Sequence, residues 1–393
     1  MLAGASSALV ANKRDLSQSE KRRLKATSST ARLCISAPLC DSSAVRAVAL
    51  LGPVANEHHI RQFELPGVNL FSGNELDPTD EPAAALIFGG DGTLHRHLGA
   101  LALKQVPALI VPLGSANDFA RSIGIETIAK ALAAWRRFCT AGDNVRTIDL
   151  GTIQPLDEER QELASDAAIG DDVNDSLPWR DESLESLHFV PDGPRRDLSQ
   201  MGPRIMQSQL RRRSEAEREV ARTTFYASIA GTGLDAAVNR LTLRQPRWLR
   251  AHGGYVVALL QVLGGFHPPR MKLSVEVDGK WVPRLDELGF LVAAGNGPQY
   301  GRGMRLTHQA EMDDGLLDLC FVRPLSKLRL LRLFRVVYRG GHIAMPEVEY
   351  FRVARIRIRT EPVTEIFADG ECVCTTPVEV GVRRRALRII VEA

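Results

Sequence analysis

The 393 residues carry 44% hydrophobic side chains and a formal net charge of +3, ample apolar material for two cores and too little charge for a nucleic-acid protein with a basic stripe. No apolar run approaches the roughly 18 residues needed to span a bilayer, so the chain is expected to be soluble or peripheral. Cys34, Cys40, Cys139, Cys320, Cys372 and Cys374 form no CxxC pair and have no histidines at zinc spacing, which reads as free thiols in a reducing compartment.

Residues 1–44, rich in Ser, Ala, Lys and Arg, lack the continuous apolar stretch of a secretory leader, and Asp15 and Glu20 count against a transit peptide. They are expected to form a disordered arm with a short helix around Leu16 to Lys25. Val45–Leu51 reads as a first strand. Leu86-Ile87-Phe88 is a second, running into Gly89-Gly90-Asp91-Gly92-Thr93, after which a helix fills Arg96–Lys104. Ala108–Val111 is a third, followed by Pro112-Leu113-Gly114-Ser115-Ala116-Asn117-Asp118-Phe119-Ala120-Arg121, and Ala129–Thr140 is helical. This alternation predicts an α/β domain with a parallel sheet over 45–151.

Beyond it, residues 154–221 are acidic in their first half and arginine-rich in their second, with a run at Arg211-Arg212-Arg213. They are expected to be a disordered surface insertion. Strands then follow in series: Thr223–Ile229, Met271–Val277, Phe290–Ala294, Leu316–Val322, Ala354–Arg359 and Val378–Val382. A mainly antiparallel, sandwich-like β domain over 152–393 is expected, interrupted by an apolar helix at Gly253–Phe266. Leu325–Arg339 reads as a helix with Arg329, Arg332, Arg335 and Arg339 on one side, a layout that suits either packing on a domain or an anionic membrane surface.

The two glycine loops carry the chemistry. Gly89, Gly90 and Gly92 let a ligand approach the main chain, and the helix that follows points its N–H groups at an anion. Asp91 is out of place beside a phosphate unless it holds Mg²⁺, orients a donor or accepts a proton. In the second loop Gly114 and Ser115 offer an amide and a hydroxyl, while Asn117 and Asp118 are good N-cap types. If their strands are parallel neighbours, the loops sit side by side at the carboxyl edge of the sheet. His95 and His97, two apart on a helix, face different ways and share no metal.

Together these loops resemble those of the diacylglycerol kinase catalytic superfamily, whose patterns are Gly-Gly-Asp-Gly-Thr and Pro-x-Gly-Thr-x-Asn-Asp-Phe-Ala-Arg; here Ser115 replaces the Thr. Further similar segments follow in order: Ile148-Asp149-Leu150-Gly151, Ser228–Ala236, Asn296 with Tyr300–Met304, Asp313–Asp318 and Asp369-Gly370-Glu371. The resemblance implies a lipid kinase that takes ATP as phosphoryl donor and Mg²⁺ as cofactor. By the same resemblance Gly89, Gly90, Gly92, Thr93, Gly114, Ser115 and Asn117 bind nucleotide, and Asp91, Asp118 and Asp149 form a metal and water network behind the phosphates. Asp91, Glu371 and Asp369 are the catalytic candidates, the base being Asp91 or Glu371, and Asp313 and Asp318 are candidates for a structural metal.

The implied partners are a lipid substrate at a membrane surface and no nucleic acid, with a homodimer admitted; the implied location is cytoplasmic, with room for peripheral contact at the inner face of the membrane. One departure stands out. The family's first-strand loop, Asn-Pro-x-Ser-Gly, is replaced by Gly52-Pro53-Val54-Ala55-Asn56, with Asn56, His58 and His59 as substitutes. Two further readings therefore accompany the lipid kinase: a kinase of a soluble substrate, as in NAD kinases, and a catalytically impaired relative that binds lipid or nucleotide.

Overall fold

The computed structural model describes residues 45–76, 81–156, 223–246, 254–301 and 303–392. The expected disordered arm, the expected insertion beyond residue 156, and Arg302 lie outside the described residues.

Short, largely apolar runs form the parallel strands β1 (Val45–Leu51), β2 (Val68–Gly73), β3 (Ala84–Gly89) and β4 (Ala108–Pro112), in the order β2-β1-β3-β4. Every residue of β3 and β4 is buried, as parallel strands covered by crossover helices should be. Helix α2 (Asp91–Lys104) contributes Leu94, Leu98 and Leu101 to their core, and α4 (Ile128–Thr140) contributes Ala131, Ala134 and Trp135. Between them lie the short helices α1 (Glu57–Arg61) and α3 (Asp118–Ser122).

The sheet continues with strands from the far end of the chain. β16 (Val378–Ile390) pairs parallel with β4 at Ile389 and Ala108, then antiparallel with β13 (Arg355–Glu361) and with β5 (Val145–Pro155). β8 (Arg270–Val277) and the edge strand β9 (Lys280–Leu288) complete one side, while β6 (Thr224–Tyr226) pairs with β5. The C-terminal half adds a separate, wholly antiparallel sheet of β12 (Val348–Val353), β11 (Leu317–Val322), β10 (Leu291–Gly295), β7 (Ile229–Gly233), β14 (Glu365–Ala368) and β15 (Glu371–Thr375), in that order.

Strand alternation gives this second sheet two buried faces. Val292, Leu319 and Phe321 pack against Met271, Leu273, Ile356, Ile358 and Val380 of the first sheet. Leu291, Ala293, Cys320 and Val322 lie under α5 (Leu234–Arg244), α6 (Gly254–Gly265) and α7 (Lys327–Val337). The expected α/β domain with an antiparallel, sandwich-like partner is thus the observed fold. No helix among the described residues is long and apolar enough to cross a membrane. Cys139, Cys320, Cys372 and Cys374 are free thiols.

Three local expectations are corrected. The strand expected at Thr223–Ile229 is two strands, broken at Ala227 and Ser228, whose amides turn to a carboxylate instead of a neighbouring strand. Asp149, expected in the network behind the phosphates, lies inside β5. The helix expected from Arg96 begins at Asp91, directly on the glycine loop.

Candidate active site

β3 and β4 are parallel neighbours, so the two glycine loops emerge side by side. They touch through glycine. A Cβ on Gly114 would lie 2.5 Å from Cα of Gly90, a separation that no side chain at either position tolerates. The Leu113 amide donates to the Gly89 carbonyl at 3.0 Å, which locks the pair. Asn117, in the left-handed region at φ 53°, folds its side chain back on Gly114: its Oδ1 accepts the Gly114 amide at 2.9 Å and its Nδ2 donates to the Gly114 carbonyl at 2.8 Å. Asn117 therefore shapes the loop. Thr93 is buried beneath the first loop, against Gly89 and Gly52.

Asp91 crosses between the loops. Its Oδ2 accepts the Asp118 amide and its Oδ1 the Phe119 amide, both at 3.0 Å. Burial pushes its carboxyl up to about 6 against the pull of those two amides, and the negative charges of Asp118 and Asp369 add to the rise. Asp118 accepts the Gly303 amide at 3.0 Å and faces Arg121 at 3.3 Å.

The third element comes from the end of the chain. Asp369 and Gly370, with φ 50° and 89°, make the two-residue turn joining β14 and β15. The Asp369 carboxylate accepts the amides of Ala227, Ser228 and Ile229 at 2.7, 2.9 and 3.2 Å, and lies 3.4 Å from Nδ1 of His95 on α2. The turn is thereby pinned across the two halves of the molecule. Glu371 is exposed beside the first turn of α2, where its Oε1 lies 2.8 Å from the place a Cβ on Gly92 would occupy.

These parts wall one cavity of about 650 Å³. Asp91, Gly114, Ser115, Asp118 and Asp369 line one part, Pro53 and Val54 another, and Asn239, Tyr255 and Tyr300 the side toward the second sheet. The last three gather on Asp235, which accepts the Tyr255 hydroxyl at 2.8 Å, the Tyr300 hydroxyl at 3.1 Å and the Asn239 amide at 3.1 Å. Burial raises the Asp235 carboxyl above its ordinary range. Asp235 falls in the family-like segment Ser228–Ala236 but received no role there, and Asn239 escapes the sequence reading; the signal available was Gly233-Leu234-Asp235, a glycine at φ 95° opening a helix after a buried strand. A second, apolar cavity of about 60 Å³, lined by Leu259, Leu291, Met304 and Leu333, adjoins behind Tyr255 and Tyr300.

The remaining candidates do not meet there. Asp149 is buried inside β5, with the amides of Gly315 and Arg385 each 2.7 Å from one of its oxygens. Asp313 pairs with Arg146 at 2.8 Å on the surface, and the buried Asp318 pairs with Arg352 at 3.2 Å. Of the expected network Asp91, Asp118 and Asp149, the first two come together and the third serves the backbone elsewhere. Among the described residues, no three His, Cys, Asp or Glu side chains converge as a ready metal cage.

Two family models match the chain: the diacylglycerol kinase catalytic domain over residues 46–153, and the YegS C-terminal NAD kinase beta sandwich-like domain over residues 228–391. Residues 46–153 thus belong to the diacylglycerol kinase catalytic domain family, and residues 228–391 to the YegS C-terminal family. A diacylglycerol kinase of Mycobacterium tuberculosis is 26% identical over 307 residues, 78% of this chain and 76% of the relative. One from Bacillus subtilis is 23% identical over 290 residues, 72% and 69% of the two chains. A crystal structure of a "putative diacylglycerol kinase" from Bacillus anthracis superposes with a TM-score of 0.56 at 15% identity, covering 90% of this chain and 97% of that one, which shows the shared fold.

Within the superfamily, this chain's departure at the first loop has a structural counterpart. Asn56 and His59 cap α1 reciprocally, the Asn56 side chain accepting the His59 amide at 3.2 Å and His59 Nδ1 accepting the Asn56 amide at 3.3 Å. The residues this loop gives to the cavity are Pro53 and Val54.

Proposed function

We propose that the chain is an ATP-dependent, Mg²⁺-assisted lipid kinase that transfers the γ-phosphate to the hydroxyl of a diacylglycerol-like or sphingoid lipid. The observation that carries this reading is the crossing of the two loops at Gly90 and Gly114, which sets Gly114 and Asp91 on one wall of a 650 Å³ cavity that also receives Asp369 from the far end of the chain. Phosphoryl transfer asks little covalent help of a protein; it asks for positioning and for charge on the phosphate oxygens. The Gly114 and Ser115 loop cradles phosphate, and the walls around Tyr255 and Tyr300 receive the acceptor.

The donor set fits a divalent ion. Asp91 and Asp118 are hard oxygen donors facing the cavity, and the negative charge of Asp118 and Asp369 that lifts the Asp91 carboxyl is charge that a cation would offset. Asp118 would hold Mg²⁺, which when bound supplies positive charge against the phosphate oxygens and leaves Asp91 beside it to take the proton. As the acceptor oxygen bonds to phosphorus and the bond to ADP breaks, its proton passes to a carboxylate. Asp91, inside the cavity, is favoured for that step over Glu371, which lies outside the cavity lining.

A labelled-ATP assay over a panel of lipid alcohols tests the reading. The expected product is a labelled phosphate monoester of one lipid class; clean protein that labels none of them refutes it. One observation favours a second reading, a soluble acceptor: the apolar cavity behind the tyrosines, at about 60 Å³, is too small for more than a few methylenes. Label transferred to a water-soluble alcohol but to no lipid would select it.

A further inference from the structure

Helices α6 and α7 pack on one face of the second sheet. Ala258, Leu259 and Leu263 of α6 and Leu330, Leu333 and Val337 of α7 share one apolar cluster with Ile229, Leu291, Cys320 and Val322. Their opposite sides therefore look the same way, outward from the sheet. α6 has no charged residue between Gly254 and Gly265, and its outward stripe is Val257, Leu260, Gln261 and Gly264, with Leu260 54% exposed. α7 turns Arg332 and Arg335 outward, and Arg339 follows on the same side.

The charge around this face has one sign. From Pro324 to Pro346 the chain carries Lys327, Arg329, Arg332, Arg335 and Arg339 and not one Asp or Glu. Arg329 is satisfied by Glu347, but Arg332, Arg335 and Arg339 have no ion pair among the described residues. A face meant for water mixes both signs and breaks up apolar stripes. An uncharged apolar stripe beside unpaired arginines instead suits a surface with an apolar interior and anionic phosphates at its boundary.

The same helical layer walls the cleft. Asn239, Thr242 and Leu243 of α5 and Tyr255 of α6 line the large cavity, and Leu243 is 48% exposed. We propose that the outward face of α6 and α7 is a docking surface for an anionic bilayer, which sets the acceptor side of the cleft against the membrane. The docking stands on charge and exposure alone; only its link to the acceptor rests on the lipid-kinase reading.

Co-sedimentation of the full chain with vesicles of equal phosphatidylglycerol and phosphatidylcholine, against phosphatidylcholine alone, tests the proposal. The parent should bind the mixed vesicles and lose them at high salt. Arg332→Gln/Arg335→Gln/Arg339→Gln should weaken that binding by about a hundredfold, since each basic residue at such a surface contributes roughly fivefold. Val257→Asp/Leu260→Asp should also weaken it, and unchanged melting curves would show that both variants fold. Equal binding to neutral and anionic vesicles, or full binding by the arginine variant, overturns the proposal. Detergent-dispersed acceptor separates it from the kinase reading, because the arginine variant should phosphorylate such an acceptor at the parent's rate. A parent that binds anionic vesicles through these arginines yet phosphorylates no lipid would sink the kinase reading and leave the docking supported.

Discussion

Asp91 and Asp149 look alike in sequence, each an aspartate after an apolar residue or glycine pair and with glycine close by, and each has both carboxylate oxygens on backbone amides. They nonetheless do different work. The amides on Asp91 come from the neighbouring loop of the same sheet edge, and its carboxylate still faces a cavity. Those on Asp149 come from Gly315 and Arg385, segments that close over it from the C-terminal half and leave it 2% exposed. A carboxylate held on backbone amides is free for chemistry only where the chain does not later cover it.

The sharpest way to break that contrast is to neutralise each aspartate. Asp91→Asn should lower kcat/KM by about a thousandfold, the scale of losing one preorganised charged group, with far-ultraviolet circular dichroism unchanged. A variant with parental turnover would show that the two aspartates are not distinct. Asp149→Ala leaves two buried amides without acceptors and should cost about 2–4 kcal/mol in a urea titration, while the rate per folded molecule stays within about threefold. Should Asp149→Ala instead melt like the parent and lose its rate, the roles assigned here are reversed.

Gly114→Ala sharpens the account of the loops. A Cβ 2.5 Å from Cα of Gly90 must push the loops apart, so the KM for ATP should rise by about ten- to a hundredfold with a smaller change in kcat. An unaltered KM would mean that the crossing does not shape a nucleotide site. The smallest expected effect is a dependence of stability on pH. His97 on the buried side of α2 and His342, whose Nε2 is 2.9 Å from the Leu306 carbonyl, are held below the ordinary imidazole range, chiefly by burial. At these two histidines the unfolded chain binds more protons below about pH 6.5, so their contribution to stability is complete above that value and falls as the pH drops through it, opposite in sign to that of the raised Asp91 and Asp235 carboxyls. On going from pH 7 to pH 5, the urea midpoint of His342→Gln should move less toward instability than the parent's; an identical pH response in that variant would place the dependence elsewhere.

The N-terminal half was legible because its signals are local. Apolar runs ending in glycine located β3 and β4, and their parallel pairing put the loops together as expected. Asn117 shows the limit of such reading: an N-cap type at an N-cap position, it spends its side chain on Gly114. β9 was missed because its outer face is charged and it contains Pro283, which an edge strand tolerates beside a register shift. β2 and β12 were missed for want of clean alternation. The fate of Asp149 could not be read at all, since its partners lie 166 and 236 residues away.

The most direct test follows labelled phosphate from ATP into a lipid extract, comparing the purified chain with its Asp91→Asn variant in magnesium buffer. The account predicts a labelled lipid monoester from the parent and essentially none from the variant. Equal labelling by both, or no labelled lipid from either, would contradict it.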